Sequence, residues 1–99
     1  MKYKVVVTLE ARGELLELIA RIERRFGEPS ALRLRNSFKQ MLKNLAIHPR
    51  QYPAVVGHSF LRKGVLNTLT IVYYRIEAEL VEVLSVHDGR SMGPDISEW

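Results

Sequence analysis

The pattern of apolar and polar positions at the start of the chain predicts a strand followed by a helix. Tyr3, Val5 and Val7 occupy alternate positions, and their β-branched valines favour extended backbone. From Leu9 the apolar positions recur at steps of three and four residues as far as Phe26, which is the spacing of a helix with one buried face. Gly27 comes next and is suited to end that helix.

A second helix is predicted directly afterwards. Pro29 suits its first turn, and His48-Pro49 ends it. Its apolar stripe consists of Ala31, Leu34, Phe38, Met41, Leu42 and Leu45. Two helices joined by so short a link must run antiparallel, as a helical hairpin.

Three further strands are predicted at His58–Lys63, Leu69–Ile76 and Leu80–Val86. The connections at 64–67 and 77–79 are short enough for hairpins, so these strands form an antiparallel meander. The order β-α-α-β-β-β predicts an α+β fold, with the helical hairpin packed on a small, mainly antiparallel four-stranded sheet. Residues 1–99 are expected to form a single domain. The Gly- and Pro-containing end is expected to be a tail or short turn.

Composition narrows the functional classes. With 46% apolar and 26% charged residues, the chain has the composition of a globular domain. It has no apolar run near the ~20 residues that span a bilayer and no cysteines, so we expect a soluble, cytoplasmic protein without a membrane partner. Its histidines, at 48, 58 and 87, share no metal-ligand spacing, and no glycine-rich phosphate loop occurs. We expect neither a metal nor a cofactor.

Charge is distributed unevenly along the chain. Residues 1–26 carry +2, residues 27–64 carry +6 and residues 65–99 carry −4. The basic middle is compatible with a solvated helix face, with a surface for nucleic acid, or with one for an acidic protein segment. Charge alone leaves these three open.

The chain resembles a type II toxin of the RelE/ParE superfamily, and its ParE (plasmid stabilisation) branch more than its ribonuclease branch. The resemblance rests on the predicted element order, on His48-Pro49 after the long hairpin, and on Phe60-Leu61-Arg62. The most specific part is TIVYYRI at 70–76 followed by VEVLSVHDGR at 81–90, with its His-x-x-Arg ending.

Three functions follow from this resemblance. In the ParE branch it implies a growth inhibitor that acts on DNA gyrase and is neutralised by a cognate antitoxin. In the RelE branch it implies a ribosome-dependent mRNA endoribonuclease that needs no metal. The third is a non-toxic binding module of the same fold. Fold does not choose among them. Because the ParE branch is the closer resemblance, we prefer the gyrase-directed toxin and assign no catalytic residue.

Five residues are candidates for binding a target or phosphate: Arg62, Lys63, Arg75, His87 and Arg90. A ribonuclease would use Arg62, Arg75, His87 and Arg90, with His87 moving a proton and the arginines holding phosphate. Against this, only two cationic residues follow Lys63, and the anionic Asp88 adjoins His87. The structural alternatives are that Arg62 holds the fold or a partner, and that His87 and Arg90 cap the last strand.

We also expect a partner segment to lie across the hairpin and the sheet edge, in an apolar groove. Tyr73 and Tyr74 must point to opposite faces of their strand, so one is expected in the core and the other is free to stack. At the end of the chain, Met92, Ile96 and Trp99 are the side chains able to anchor on the sheet.

Overall fold

The computed structural model describes residues 2–67, 69–90, 93–97 and 99. Two long helices follow the first strand, and four further strands complete the fold, in the α+β class that the sequence predicted. The elements are β1 (Lys4–Val7), α1 (Leu9–Phe26), α2 (Glu28–Ile47), β2 (Ala54–Val55), β3 (His58–Leu66), β4 (Thr70–Glu77) and β5 (Leu80–Asp88). No helix within the described residues is long and apolar enough to cross a membrane.

Local signals set the limits of the helical hairpin, and Gly27 ends α1 as the sequence predicted. Thr8 begins α1, and its Oγ1 accepts a hydrogen bond from the Ala11 amide at 3.1 Å. Gly27 alone separates α1 from α2 and has φ +95°, a conformation that few residues other than glycine adopt. This single-residue link makes the two helices antiparallel.

The strands form one sheet in the order β1-β5-β4-β3-β2. β1 runs parallel to β5, and the remaining neighbours are antiparallel. The sheet has five strands instead of the predicted four because Ala54–Val55 pairs with β3 across a register shift. A strand of two residues is too short to show a period-two pattern, so sequence periodicity missed it.

The predicted turn at 64–67 is wrong in its limits. β3 continues through Gly64 to Leu66, and the chain reverses around Asn67, whose φ is +52°. Gly64 belongs in the strand because the ring of Tyr52 lies directly against it: a Cβ at this position would meet ring carbons at 3.0 Å. The glycine therefore serves close packing rather than chain reversal.

The hairpin covers one face of the sheet and forms the core with it. The buried apolar side chains of this core are Ala11, Leu18, Ile19, Ala31, Leu34, Phe38, Met41, Leu45, Leu66, Val72, Tyr74, Val81, Val83 and Val86. Tyr74 is fully buried, and its hydroxyl donates a hydrogen bond of 2.6 Å to the carbonyl oxygen of Pro49. This bond ties the loop after α2 to the middle of the sheet.

Tyr73 and Tyr74 lie on opposite faces, as alternation requires. Tyr73 faces away from the helices, where it pairs with Ser85, whereas Tyr74 pairs with Val83. The register shift between these pairs leaves Leu84 as an extra residue in β5, which is a β-bulge.

Tyr74→Phe should lower the free energy of unfolding by about 1–2 kcal/mol, because it removes the hydroxyl and leaves the Pro49 carbonyl without that donor. Urea unfolding measures the loss. Tyr73→Phe is the matched control, since the Tyr73 hydroxyl makes no hydrogen bond within the described residues, and its effect should stay within about 0.5 kcal/mol.

The contribution of Tyr74 to the free energy of unfolding should also depend on pH. Burial raises the pKa of Tyr74 to about 12, above the ordinary tyrosine value of about 10. The unfolded chain therefore loses this proton first, and the stabilisation, complete below pH 10, disappears as the pH rises towards 12. Tyr74→Phe should lack this part of the alkaline loss. Equal alkaline loss in both proteins would contradict the assignment.

Candidate functional site

The five candidate residues do not converge on one site. Arg62 pairs with Tyr74 and so lies on the helix-covered face of the sheet. Lys63, which pairs with Tyr73, lies on the opposite face together with Arg75 and His87. Arg90 follows the end of β5.

Arg62 is engaged with the loop that follows α2. Its Nη1 donates to the carbonyl oxygen of Tyr52 at 2.6 Å and to that of Arg50 at 3.3 Å. The guanidinium thus holds the same loop that Tyr74 reaches through Pro49. Its geometry is that of a structural residue, the alternative that the sequence left open.

Arg75 forms a cross-strand ion pair on the open face of the sheet. Its Nε donates to Glu82 Oε1 at 3.1 Å, and its Nη2 donates to the same oxygen. Arg75 and Glu82 are direct neighbours in the β4–β5 register, and both are partly buried. A carboxylate therefore already occupies the donors that a phosphate would need.

Arg90 is paired with Asp88. Its Nε and Nη2 donate to Asp88 Oδ1 and Oδ2 at 3.2 and 2.9 Å, and its amide also donates to Oδ1 at 2.9 Å. These hydrogen bonds lower the pKa of Asp88 to about 2. The pair lies at the end of β5.

His87 lies in a ring cluster on the open face. Its ring stacks on Tyr73, with centroids 5.7 Å apart and an angle of 13° between the planes. Lys63 Nζ lies 5.9 Å from the Tyr73 centroid, and Trp99 meets Tyr73 edge-on at 5.7 Å. The anchoring expected of Trp99 is thus present, Ile96 is half-buried, and Met92 lies outside the described residues.

The two ring nitrogens of His87 differ in their surroundings. Nδ1 lies 2.9 Å from the carbonyl oxygen of Asp88, whereas Nε2 is buried and has no hydrogen-bond partner among the described residues. A proton-transferring group must reach its substrate within about 3 Å or through one water. In this arrangement Nε2 is closed off from solvent.

An apolar cleft lies elsewhere, between the tip of the helical hairpin and one end of the sheet. It encloses about 510 Å³ and adjoins a smaller pocket of about 220 Å³. Leu18, Ile22 and Leu34 line it, together with Phe26 and Leu69, two apolar side chains that are largely exposed.

Arginines surround this cleft. Arg21, Arg25, Arg33 and Arg90 line the two pockets. Arg25 also lies over the Phe26 ring, at 5.6 Å from its centroid. Among the described lining residues the one carboxylate is Asp88, which Arg90 already pairs. The result is an apolar floor with a positive rim.

The sequence predicted a groove across the hairpin and sheet edge, but it did not identify the residues that line it. They come from α1, α2, the β3–β4 turn and the end of β5, segments far apart in sequence. The one sequence feature that could have pointed to the cleft is the position of two large apolar residues, Phe26 and Leu69, beside breaks in secondary structure.

Residues 5–92 match the family described as the ParE toxin of the type II toxin-antitoxin system parDE. The chain belongs to the ParE toxin family. The match extends from β1 past the end of β5, so it includes all five candidate residues and the arginine-rimmed cleft.

Two solved structures share the ParE fold. One is a chain of the chromosomal ParDE toxin-antitoxin system from P. aeruginosa, with a TM-score of 0.73 and 13% identity over 88% of this chain and 96% of that one. The other is from the RelBE2 toxin-antitoxin complex of Mycobacterium tuberculosis, with a TM-score of 0.63 and 19% identity over 89% and 99%. No curated protein matches the sequence. At these identities the two structures show the fold alone.

In this ParE chain, replacement of Arg62 should separate a structural role from phosphate binding. Arg62→Ala should lower the free energy of unfolding by about 1–3 kcal/mol, because two carbonyl groups lose a charged donor. Arg62→Lys should recover little of this loss, since an ammonium group cannot reproduce the guanidinium fork, although it binds phosphate as a point charge.

Urea unfolding measures both variants. Arg24→Ala, which removes an exposed charge from α1, serves as the control and should change stability by about 0.5 kcal/mol or less. If Arg62→Lys folds as stably as the parent chain, the structural role of the fork is wrong.

Proposed function

We propose that this chain is the toxin of a type II toxin-antitoxin pair, that it inhibits growth by binding DNA gyrase, and that a cognate antitoxin neutralises it. The observation that carries the proposal is the match to the ParE toxin family over residues 5–92. ParDE and RelBE2 structures share the fold, and the surfaces of this chain favour binding over chemistry.

The candidate arginines are already bound to groups of the protein itself, which supports a binding function over RNA cleavage. Metal-free RNA cleavage needs a proton acceptor, a proton donor and cations directed at one phosphate. Here Arg62 is directed at loop carbonyls, Arg75 at Glu82 and Arg90 at Asp88. The Nε2 of His87 is buried. An endoribonuclease would have to rearrange each of these contacts before it held a phosphate.

The arginine-rimmed cleft supports an antitoxin partner of defined chemistry. Its exposed apolar side chains, Phe26 and Leu69, favour burial against apolar residues of a partner. Its rim favours carboxylates on the same partner. We assign the cleft, between the hairpin tip and one end of the sheet, to an amphipathic acidic segment of the antitoxin.

Expression of the chain in bacteria without its antitoxin tests the target. A gyrase-directed toxin should give filamentous cells with a DNA-damage response, and the purified protein should inhibit supercoiling by purified gyrase. His87→Ala should retain growth inhibition, because a catalytic histidine would contribute about 10²–10⁴-fold and its loss would abolish the effect.

Other outcomes select the rival functions. Rapid translation arrest with cleaved transcripts, together with an inactive His87→Ala variant of unchanged thermal stability, would select the endoribonuclease. Unaffected growth with the soluble, folded chain would select the non-toxic binding module.

Charge reversal at the cleft tests the antitoxin site. Arg33→Glu should weaken binding of the antitoxin encoded next to this chain by about threefold to tenfold and reduce the salt dependence of the affinity, because Arg33 is exposed on the rim. Arg24→Glu makes the same change on α1 but lies outside the residues that line the two pockets.

Titration calorimetry of each variant with the antitoxin gives the comparison. Binding of the antitoxin should also raise the thermal stability of the chain, by an amount that grows with the logarithm of the free antitoxin concentration over its dissociation constant. Equal weakening by both substitutions would show that net charge, rather than the cleft, determines affinity.

A further inference from the structure

The described residues at the end of the chain fold back over the sheet face that the helices leave open. We call residues 93–97 together with Trp99 the C-terminal strap. Trp99 meets Tyr73 edge-on at 5.7 Å, with 66° between the ring planes. Gly93 lies against His87, since a Cβ on this glycine would come within 3.3 Å of His87 Cε1 and Nε2. The strap therefore covers the ring cluster.

Two polar atoms are buried in this region without partners. Ser85, which is 1% exposed, pairs with Tyr73 in the sheet register and so belongs to the same face. Its Oγ and the Nε2 of His87 have no hydrogen-bond partner among the described residues. A buried polar group without a partner destabilises the arrangement that buries it. The closed strap thus gains ring packing, and the His87 Nε2 that lies against Gly93 stays buried without a partner among the described residues.

Among the described residues, the hydrogen bonds of the strap all lie within it. The Trp99 amide donates to the Ile96 carbonyl at 3.1 Å, and the amide and hydroxyl of Ser97 donate to Asp95 Oδ1 at 3.0 and 2.7 Å. Trp99, whose ring holds the strap against Tyr73, is only half-buried. Lifting the strap as a unit would leave the sheet's backbone hydrogen bonds intact.

We propose that the C-terminal strap opens and closes over Tyr73, Ser85 and His87 while the rest of the fold stays intact, and that it thereby controls access to this face. Opening exposes an aromatic ring and lets water reach both unpartnered atoms. Any partner that binds this face has its affinity reduced in proportion to the fraction of molecules in which the strap is open. The strap is a self-inhibitory contact built from Trp99.

The absence of cysteine from the sequence permits a direct test on the full-length chain. Ser85→Cys places one thiol beneath the strap, and Ser59→Cys places one at an exposed position of β3 as the matched control. The rate of labelling by a soluble disulfide reagent then measures access. Ser85→Cys should react at least about tenfold more slowly than Ser59→Cys, a ratio that corresponds to ~1.4 kcal/mol in favour of the closed strap.

Removal of the Trp99 ring should abolish the protection of the thiol at position 85 from labelling. With Trp99→Ala added, Ser85→Cys should react within about threefold of Ser59→Cys, whereas Trp99→Phe, which keeps a ring, should retain most of the protection. Circular dichroism checks that each variant is folded. Labelling of Ser85→Cys should also depend weakly on low urea concentrations, since opening the strap exposes little surface.

Two results would overturn the proposal. Slow labelling that Trp99→Ala does not accelerate would mean that the sheet itself buries position 85. A urea dependence as steep as that of global unfolding would mean that access requires the whole fold to open. Neither measurement involves gyrase or antitoxin, so the strap stands or falls separately from the proposed function.

Discussion

Hydrogen bonds that hold the loop after α2 against the sheet fix one end of the helical hairpin, and the apolar core fixes the rest of it. At that end the Tyr74 hydroxyl binds the Pro49 carbonyl and Arg62 binds the Tyr52 carbonyl, so the loop after α2 is held against the sheet. The Tyr3 amide donates to the Ala46 carbonyl at 2.7 Å in the same region. At the other end Gly27 reverses the chain, and Phe26 beside it is 58% exposed. The cleft lies at this second end, between the hairpin tip and the sheet.

This asymmetry also explains where positive charge is available. Arg62, at the attached end, serves the fold, and Arg75 is paired with Glu82 across the sheet. The helix arginines Arg21, Arg25 and Arg33 instead line the cleft. The basic middle of the sequence therefore becomes a rim around an apolar floor, which suits an acidic amphipathic partner better than a bare phosphate.

Much of the fold was predictable because it follows from local periodicity. The helices, with Gly27 between them and His48 after them, were correctly located. The errors come from contacts between distant residues. Gly64 looked like a turn residue, but its role is to accommodate Tyr52, twelve positions earlier. The two-residue β2 exists only because β3 pairs with it. Periodicity carries no information about either contact.

The candidate site was less predictable for the same reason. Alternation along a strand does imply that Arg62 and Lys63 lie on opposite faces, so they never belonged to one cluster. The groups that bind the candidate cations, such as the Tyr52 carbonyl, are brought to them by the strand register and by the path of a loop. Neither can be read from the sequence of residues alone. The cleft needs four separate segments to be brought together before it exists.

The two faces of the sheet end up covered in different ways. One face is closed by two long helices whose buried side chains number among the largest in the core, Phe38 and Met41 included. The other is covered by a short segment through Trp99 and leaves Ser85 and His87 without hydrogen-bond partners among the described residues. A cover with good packing and satisfied polar groups is part of the fold, because removing it costs most of the core. A cover that packs one ring contributes less to stability, because the polar atoms left buried without hydrogen-bond partners on that face offset part of what the packing gains.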